Sequence, residues 1–317
     1  MKPQVSIYKK EPLNILRVLS EVASKGEQLP DDYYYLFLRI RKLITLEMLQ
    51  TKEAHKIILD PFKFGGAYNF VRLLEEVELL EMIFPAVYNL VKVDGGHYHN
   101  ETVYTHVLGA LRALDKVKLP WEVKLSALYH DVGKVKWEIS EEGRRRFTNH
   151  AVFGKSLVEG DLRRLNFPLG TISTPKTLVG HHMDHINDRF DIHAHSLRKL
   201  VRNFEENHVP LKYFFWIRYA DNMGSAVRET EFMYYWKVYK RCLKILNKKP
   251  DPSVKDLEID GRDVMSILSL SEGGKVVGYV LSRLFQMWQN GEIENNKGQL
   301  FSKVARLGYE YDELQRV

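Results

Sequence analysis

Apolar residues recur at helical spacing along most of the chain. Residues 12–24 open at Pro12 and carry Leu13, Leu16, Leu19 and Val22-Ala23. Residues 31–50 begin at the capping candidates Asp31 and Asp32 and run through Leu36, Ile40, Leu43, Ile44, Leu46 and Met48. Residues 67–82 repeat the pattern with Phe70, Leu73, Leu74, Val77 and Leu80, after a break predicted at Asp60-Pro61-Phe62-Lys63-Phe64-Gly65-Gly66. A further helix is predicted over 101–117. Another runs through Trp121, Leu125, Leu128 and Val132, with Gly133 as its stop. No alternating strand ladder, βαβ rhythm or repeat of 20–50 residues interrupts this pattern. The expectation is an all-α fold. Two polar breaks, Val93-Asp94-Gly95-Gly96 and Asn247-Lys248-Lys249-Pro250-Asp251-Pro252, divide it into an N-terminal helical segment (1–92), a histidine-rich domain (93–250) and a C-terminal helical tail (251–317).

Composition narrows the class. At roughly 150 residues per domain, 317 residues make about two domains. With 44% hydrophobic and 28% charged residues, disorder is excluded as the main state. No uncharged apolar run approaches the ~18 residues of a membrane helix, and the first ten residues lack the apolar core of a signal peptide. A cytoplasmic protein without a membrane partner is expected. The single Cys242 excludes an internal disulfide and a cysteine-only zinc site. The net charge of +6 permits an anionic partner without demonstrating one.

Histidine changes the picture. All but His55 of the 12 histidines fall between positions 97 and 208, and imidazole is the commonest metal ligand. At the centre stands Tyr129-His130-Asp131-Val132-Gly133-Lys134. Adjacent side chains at a helix end point about 100° apart, so His130 and Asp131 can both reach one ion lying off that end. Imidazole and carboxylate together suit a divalent transition metal such as Mn, Fe, Co, Ni or Zn. His106 on the preceding helix and Asp221, in Ile217-Arg218-Tyr219-Ala220-Asp221-Asn222, supply further ligands. His150, and His181 or His182 at the end of an apolar stretch, make a second ion possible, bridged by Asp131. The choice between His181 and His182 stays open. Lys134 suits either a helix C-terminus or a substrate phosphate. His97 and His99 read as solvated loop residues. His185, His193, His195 and His208 read as helix caps or solvent-facing side chains. A lone His-Asp pair is common; the specificity lies in the ordered set.

That ordered set resembles the HD phosphohydrolase superfamily of all-helical, metal-dependent enzymes. Leu79-Leu80-Glu81-Met82-Ile83-Phe84-Pro85, Asn149-His150-Ala151-Val152-Phe153-Gly154 and Leu162-Arg163-Arg164-Leu165-Asn166-Phe167-Pro168 further resemble the body of bacterial CCA-adding and poly(A)-polymerase-like enzymes. Leu257-Glu258-Ile259-Asp260-Gly261-Arg262-Asp263-Val264-Met265 and the segments 274–281 and 290–295 are similar to that family's tail. The similarity covers roughly residues 65–310. It implies an HD-domain core within 93–250, one or two divalent ions, and hydrolysis of 2′,3′-cyclic phosphates or 2′-phosphates of nucleotides or RNA ends. Asp131 and Lys134 are the expected catalytic residues. Ala151 departs from the family, which often has an acidic residue there. No strand with an Asp-x-Asp pair precedes the match, so nucleotide transfer by this chain itself is not expected. Two rival expectations are an RNA-holding body and tail, partnered by a separate nucleotidyltransferase head, and a nucleotide triphosphohydrolase of the same superfamily.

A cationic stripe bears on RNA. Lys237, Lys240, Arg241, Lys244 and Lys248 fall at helical spacing along one face, opposite Val238, Cys242, Ile245 and Leu246, with Trp236 and Tyr239 flanking it. Such a face suits a phosphate backbone and equally a solvated helix surface. Ser271-Glu272-Gly273-Gly274-Lys275 lacks phosphate-loop spacing and reads as a turn.

Overall fold

The computed structural model describes residues 4–94, 102–140, 145–184, 194–225, 232–247 and 252–314. Helix dominates, in line with the all-α expectation. Among the described residues, strand pairing is limited to an antiparallel ribbon of Glu138–Ile139 with Arg145–Arg146 and a bridge between Asp94 and Thr102. No described helix is long and apolar enough to cross a membrane. The chain divides into two compact units, Met1–Asn247 and Lys248–Val317.

Local capping decides where the apolar rhythm is cut. The 12–24 stripe forms the helix Asn14–Lys25, which buries Ile15, Leu16, Leu19 and Ala23. The single helix expected over 31–50 is three pieces: Asp31–Ile40, a 3-10 turn at Arg41–Leu43, and Leu46–Leu49. Thr45 accepts a hydrogen bond from the Met48 N–H and so starts a new helix, as Thr51 does again for Lys52–Phe64. The 67–82 stripe likewise splits into Ala67–Glu76 and Leu80–Ile83, with Glu78 in a left-handed conformation between them. The break expected from Asp60 begins only at Gly65. Helix Lys52–Phe64 runs through Pro61, whose ring is buried one turn from the helix end. There the missing N–H costs the helix a single internal bond. The next helix starts where the Asp115 carboxylate accepts from the N–H groups of Gly66 and Ala67.

The N-terminal helices and the histidine-bearing helices share one core. Leu16, Phe37, Phe62, Phe70 and Phe84 pack in the same cluster as Leu125, Leu128, Tyr129, Val132 and Leu162. A second core joins Leu114, Val123, Ala127 and Leu178 to Phe204, Phe214, Val238 and Cys242. Polar contacts also tie the first region to the helix His150–Arg164. Gln50 donates to the Arg164 carbonyl at 2.8 Å. His55 donates to the Leu165 carbonyl at 2.6 Å and stacks on Phe167. These bonds satisfy carbonyls that a helix end leaves open. Deeper in, buried Asp161 accepts from the Tyr129 hydroxyl at 2.9 Å and the Ala86 N–H at 3.0 Å. The second unit has its own core of Val264, Val280, Leu284, Leu300 and Val304. Its helix Gly261–Ile267 opens on a capping box between Asp260 and Asp263.

Burial raises Asp161 to about 6, against the partial compensation of its two donors. A carboxyl whose folded value is raised contributes stability that is present below its ordinary value and is lost as pH rises through 6. An Asp161→Asn chain keeps an oxygen to accept both bonds but has no charge to bury. Urea unfolding should therefore shift in favour of the Asn variant by about 2 kcal/mol between pH 4 and 6.5. Parallel stability curves over that window would show that Asp161 does not titrate there.

Candidate metal centre

Three histidines of the ordered set sit at helix ends, and one local rule orients them all. His130 follows the last residue of helix Trp121–Tyr129, His182 follows Leu169–His181, and His150 begins His150–Arg164. Each ring donates its Nδ1–H to the carbonyl three residues earlier. The bonds are 2.8 Å from His130 to Ala127, 2.7 Å from His182 to Val179, and 2.8 Å from His150 to Phe147. At the two helix C-termini this bond also satisfies an open carbonyl. In all three it leaves Nε2 as the atom that points inward, a lone pair wherever that nitrogen carries no proton. The negative ends of two helix dipoles face the same spot, which favours a cation there.

These nitrogens converge on Asp131 in two groups. His106, His130 and Asp221 form the first: the Nε2 atoms of His106 and His130 are 3.1 Å apart, and Asp221 Oδ1 lies 3.2 and 3.6 Å from them. Asp131 Oδ2 is 3.4 Å from both imidazoles. His150 and His182 form the second group, with Nε2 atoms 3.2 Å apart and each 3.4 Å from Asp131 Oδ1. One carboxylate thus turns an oxygen to each group. His106, His130, Asp131, His150 and His182 are all buried.

The donor set fits a divalent cation. In the second group both Nδ1 atoms carry the ring proton, so two nitrogen lone pairs and a carboxylate oxygen meet with no hydrogen between them. Such an arrangement is repulsive unless a cation sits among the three. The separations agree. Ligands bonded at ~2.1 Å in an octahedral or tetrahedral shell lie about 3.0–3.4 Å from one another, which is the spacing seen here apart from the 3.6 Å between His130 and Asp221.

The charges answer one another. Burial opposes ionisation of Asp131, but the Lys134 ammonium, 2.7 Å from Oδ2, and His130 hold the carboxyl well below its usual range. Asp221 is also held low, against its burial, by His106 and His130. Burial would lower His130, yet Asp131 and Asp221 outweigh it and push the imidazole up to about 10. His182 goes the other way, because burial dominates.

Two glycines permit the approach. A Cβ on Gly133 would sit 1.9 Å from the His150 carbonyl oxygen. The turn after His130-Asp131 can therefore lie directly on the start of the His150 helix. Gly133 was expected as a helix stop; the helix already ends at Tyr129, and close backbone contact is what requires glycine. A Cβ on Gly224 would stand 2.6 Å from the His106 carbonyl oxygen. Helices Val103–Asp115 and Lys212–Gly224 cross there, one turn from His106 and Asp221 on their respective helices.

The other expected residues are placed differently. His181, named as a further ligand, joins neither group. Neighbouring helical side chains diverge by about 100°, and its Nδ1 lies 2.9 Å from Asp184 Oδ2 while its ring packs against Phe204. Lys134 is mostly buried and lies 5.5 Å over the Phe147 ring. Lys237, Lys240, Arg241 and Lys244 are exposed along helix Phe232–Leu246, while Val238 and Cys242 are buried. Lys248, His97, His99, His185 and His193, and the side chain of His195, lie outside the described residues. His208 is exposed in a left-handed conformation. Arg218 was not anticipated. It donates to the His182 carbonyl at 2.9 Å and lies 3.4 Å from Asp221 Oδ2, so it links the two groups from behind. Its position one turn before Asp221 was the available signal.

The family described as HD domain matches residues 103–223, a span that holds every member of both groups. The CC-adding tRNA nucleotidyltransferase of Thermus thermophilus is 30% identical over 247 residues, 76% of this chain and 52% of that protein. The chain spans about half the length of the curated relative it matches.

Two measurements test the centre. Metal binding should expel the proton held on His130, so affinity for Mn or Zn should rise about tenfold per pH unit between pH 7 and 9. Calorimetry in buffers of different ionisation enthalpy should record the released proton, and a flat profile would show His130 already neutral. Gly133→Ala should lower bound metal by at least about tenfold through displacement of His150, with His181→Ala as an unaffected control. Equal metal content in the two variants would contradict this geometry.

Proposed function

We propose that this HD-domain chain is a metal-dependent phosphohydrolase acting on a nucleotide or RNA-end phosphate of the 2′,3′-cyclic or 2′-phosphate class. The observation that supports it is the Asp131 carboxylate, with one oxygen toward His106 and His130 and the other toward His150 and His182. His106, His130 and Asp221 would hold one divalent transition ion, His150 and His182 a second, with Asp131 shared. Ions so held supply Lewis acidity toward phosphoryl oxygens and make bound water a nucleophile near neutral pH.

The chain's own residues do the positioning. The three Nδ1–H bonds to Ala127, Phe147 and Val179 hold the imidazoles fixed in angle, with Nε2 turned inward. Lys134 sets a buried positive charge beside Asp131, where it would offset the charge of a bound phosphate. Arg218 holds Asp221 and the end of the His182 helix together. The second group favours this reading over a triphosphohydrolase, for which His106, His130, Asp131 and Asp221 would suffice. Support for RNA as the substrate comes from a relative named for its action on tRNA, the net charge of +6, and the exposed Lys237, Lys240, Arg241 and Lys244. The same exposed face favours a second reading, an RNA-holding body whose hydrolytic site is secondary.

The test begins with elemental analysis of the purified chain. Hydrolysis of 2′,3′-cyclic nucleotides, 2′-nucleotides and nucleoside triphosphates then follows, with added Mn, Co, Ni or Zn. Turnover of the first two classes is expected. Asp131→Asn should remove it together with most of the metal, by at least about 10²-fold. A metal-loaded chain that turns over none of the three would overturn the hydrolytic reading. Turnover of triphosphates alone would reassign the substrate.

A further inference from the structure

The far ends of the same helices build a second feature. A cleft of about 470 Å3 is lined by Lys118, Lys212, Lys240, Tyr213, Trp216 and Trp236 among others, a volume within the ~300–1,000 Å3 usual for binding sites. Among the described residues lining it, none is acidic. Lys212 opens the helix that ends near Asp221, and Pro120 precedes the helix that ends just before His130. At ~1.5 Å per residue, the nine to ten intervening positions set the cleft about 14 Å along the helix axes from the metal centre. It is a separate site.

Its chemistry pairs cations with ring faces. Lys212 Nζ lies 5.5 Å over the Tyr213 ring and Lys240 Nζ 5.7 Å over Trp236. The half-buried rings are held by neighbours, Trp216 against Tyr219 and Trp236 against Tyr239. Inorganic phosphate would use the lysines and leave the rings idle. An acidic peptide offers charge but no π-face for three aromatic rings. A duplex keeps its base faces stacked inside. An unpaired strand and a free nucleotide both present phosphate and an open base face, and of the two only the strand also reaches the exposed cations beyond the cleft on helix Phe232–Leu246.

We propose that this cleft binds a segment of single-stranded nucleic acid, with bases against Tyr213, Trp216 and Trp236 and phosphates on Lys118, Lys212 and Lys240. The adjoining exposed Lys237, Arg241 and Lys244 would carry the strand onward along the helix Phe232–Leu246. This extends the RNA reading above but rests on the cleft lining alone.

The test measures fluorescence anisotropy of the full metal-loaded chain with labelled twelve-nucleotide strands of RNA and DNA, both with hydroxyl ends, and with the RNA duplex. Hydroxyl ends make binding independent of whether the metal centre hydrolyses phosphate. Tighter binding of single strands than of duplex is expected, whether RNA is preferred over DNA or equal to it. Trp236→Ala should weaken the single strand about tenfold and Trp236→Phe much less, since base stacking survives on a phenyl ring. Lys212→Gln and Lys240→Gln should each flatten the salt dependence by about 0.7. These lysines are exposed, so their variants decide the matter if Trp236→Ala does not fold. Variants that bind as the unmodified chain does, equal losses for duplex and single strand, or displacement of the strand by oligoglutamate as readily as by unlabelled strand would overturn the proposal.

Discussion

A single buried carboxylate sets the terms for the rest of this chain. Asp131 lies within 3.4 Å of four imidazole nitrogens contributed by four different segments. Such a group is costly to bury unless positive charge surrounds it. Lys134 contributes a fixed charge, and the two histidine pairs make room for more. The core packing, the helix ends and the glycine contacts all serve to bring cationic groups, or lone pairs that call for a cation, around this one side chain.

The means are ordinary helix physics. A helix ends with unsatisfied carbonyls and a partial negative charge. His130 and His182 satisfy one such carbonyl each and, by the same bond, aim their other nitrogen at the centre. The capping rule and the ligand rule are therefore one interaction. Small residues do the remaining work, because Gly133 and Gly224 let backbones approach where any side chain would force His150 or His106 away. The Tyr129 hydroxyl bond to Asp161 ties the residue before His130 to the helix that His150 begins, so core stability and site geometry share a buried polar link.

The same helices carry different chemistry at their two ends. Toward His130 and Asp221 the surroundings are largely buried and rich in carboxylate and imidazole donors, suited to metal ions. Toward Pro120 and Lys212 they are open, cationic and aromatic. Under the proposals made above, a strand held at one end would bring a phosphate to the other, which is a reason for both to lie on one rigid bundle.

How much of this was legible from residues alone follows from what is local. Apolar spacing reveals helices because burial repeats with the helical turn, and it placed the stripes 12–24, 31–50 and 67–82 correctly as helical. It did not show where Thr45 and Glu78 cut them or that Thr51 starts a further helix, since capping bonds and a left-handed residue leave no trace in hydrophobicity. The break at Asp60-Pro61 was misplaced because proline one turn from a helix end is tolerated. His106, His130, Asp131, His150, His182 and Asp221 stood out as an ordered set of ligand types. The placement of His182 rather than His181 beside Asp131, the linking position of Arg218 and the contact made by Gly133 belong to tertiary structure. Each depends on which way a side chain faces once helices distant in sequence have packed, and only packing fixes that rotation.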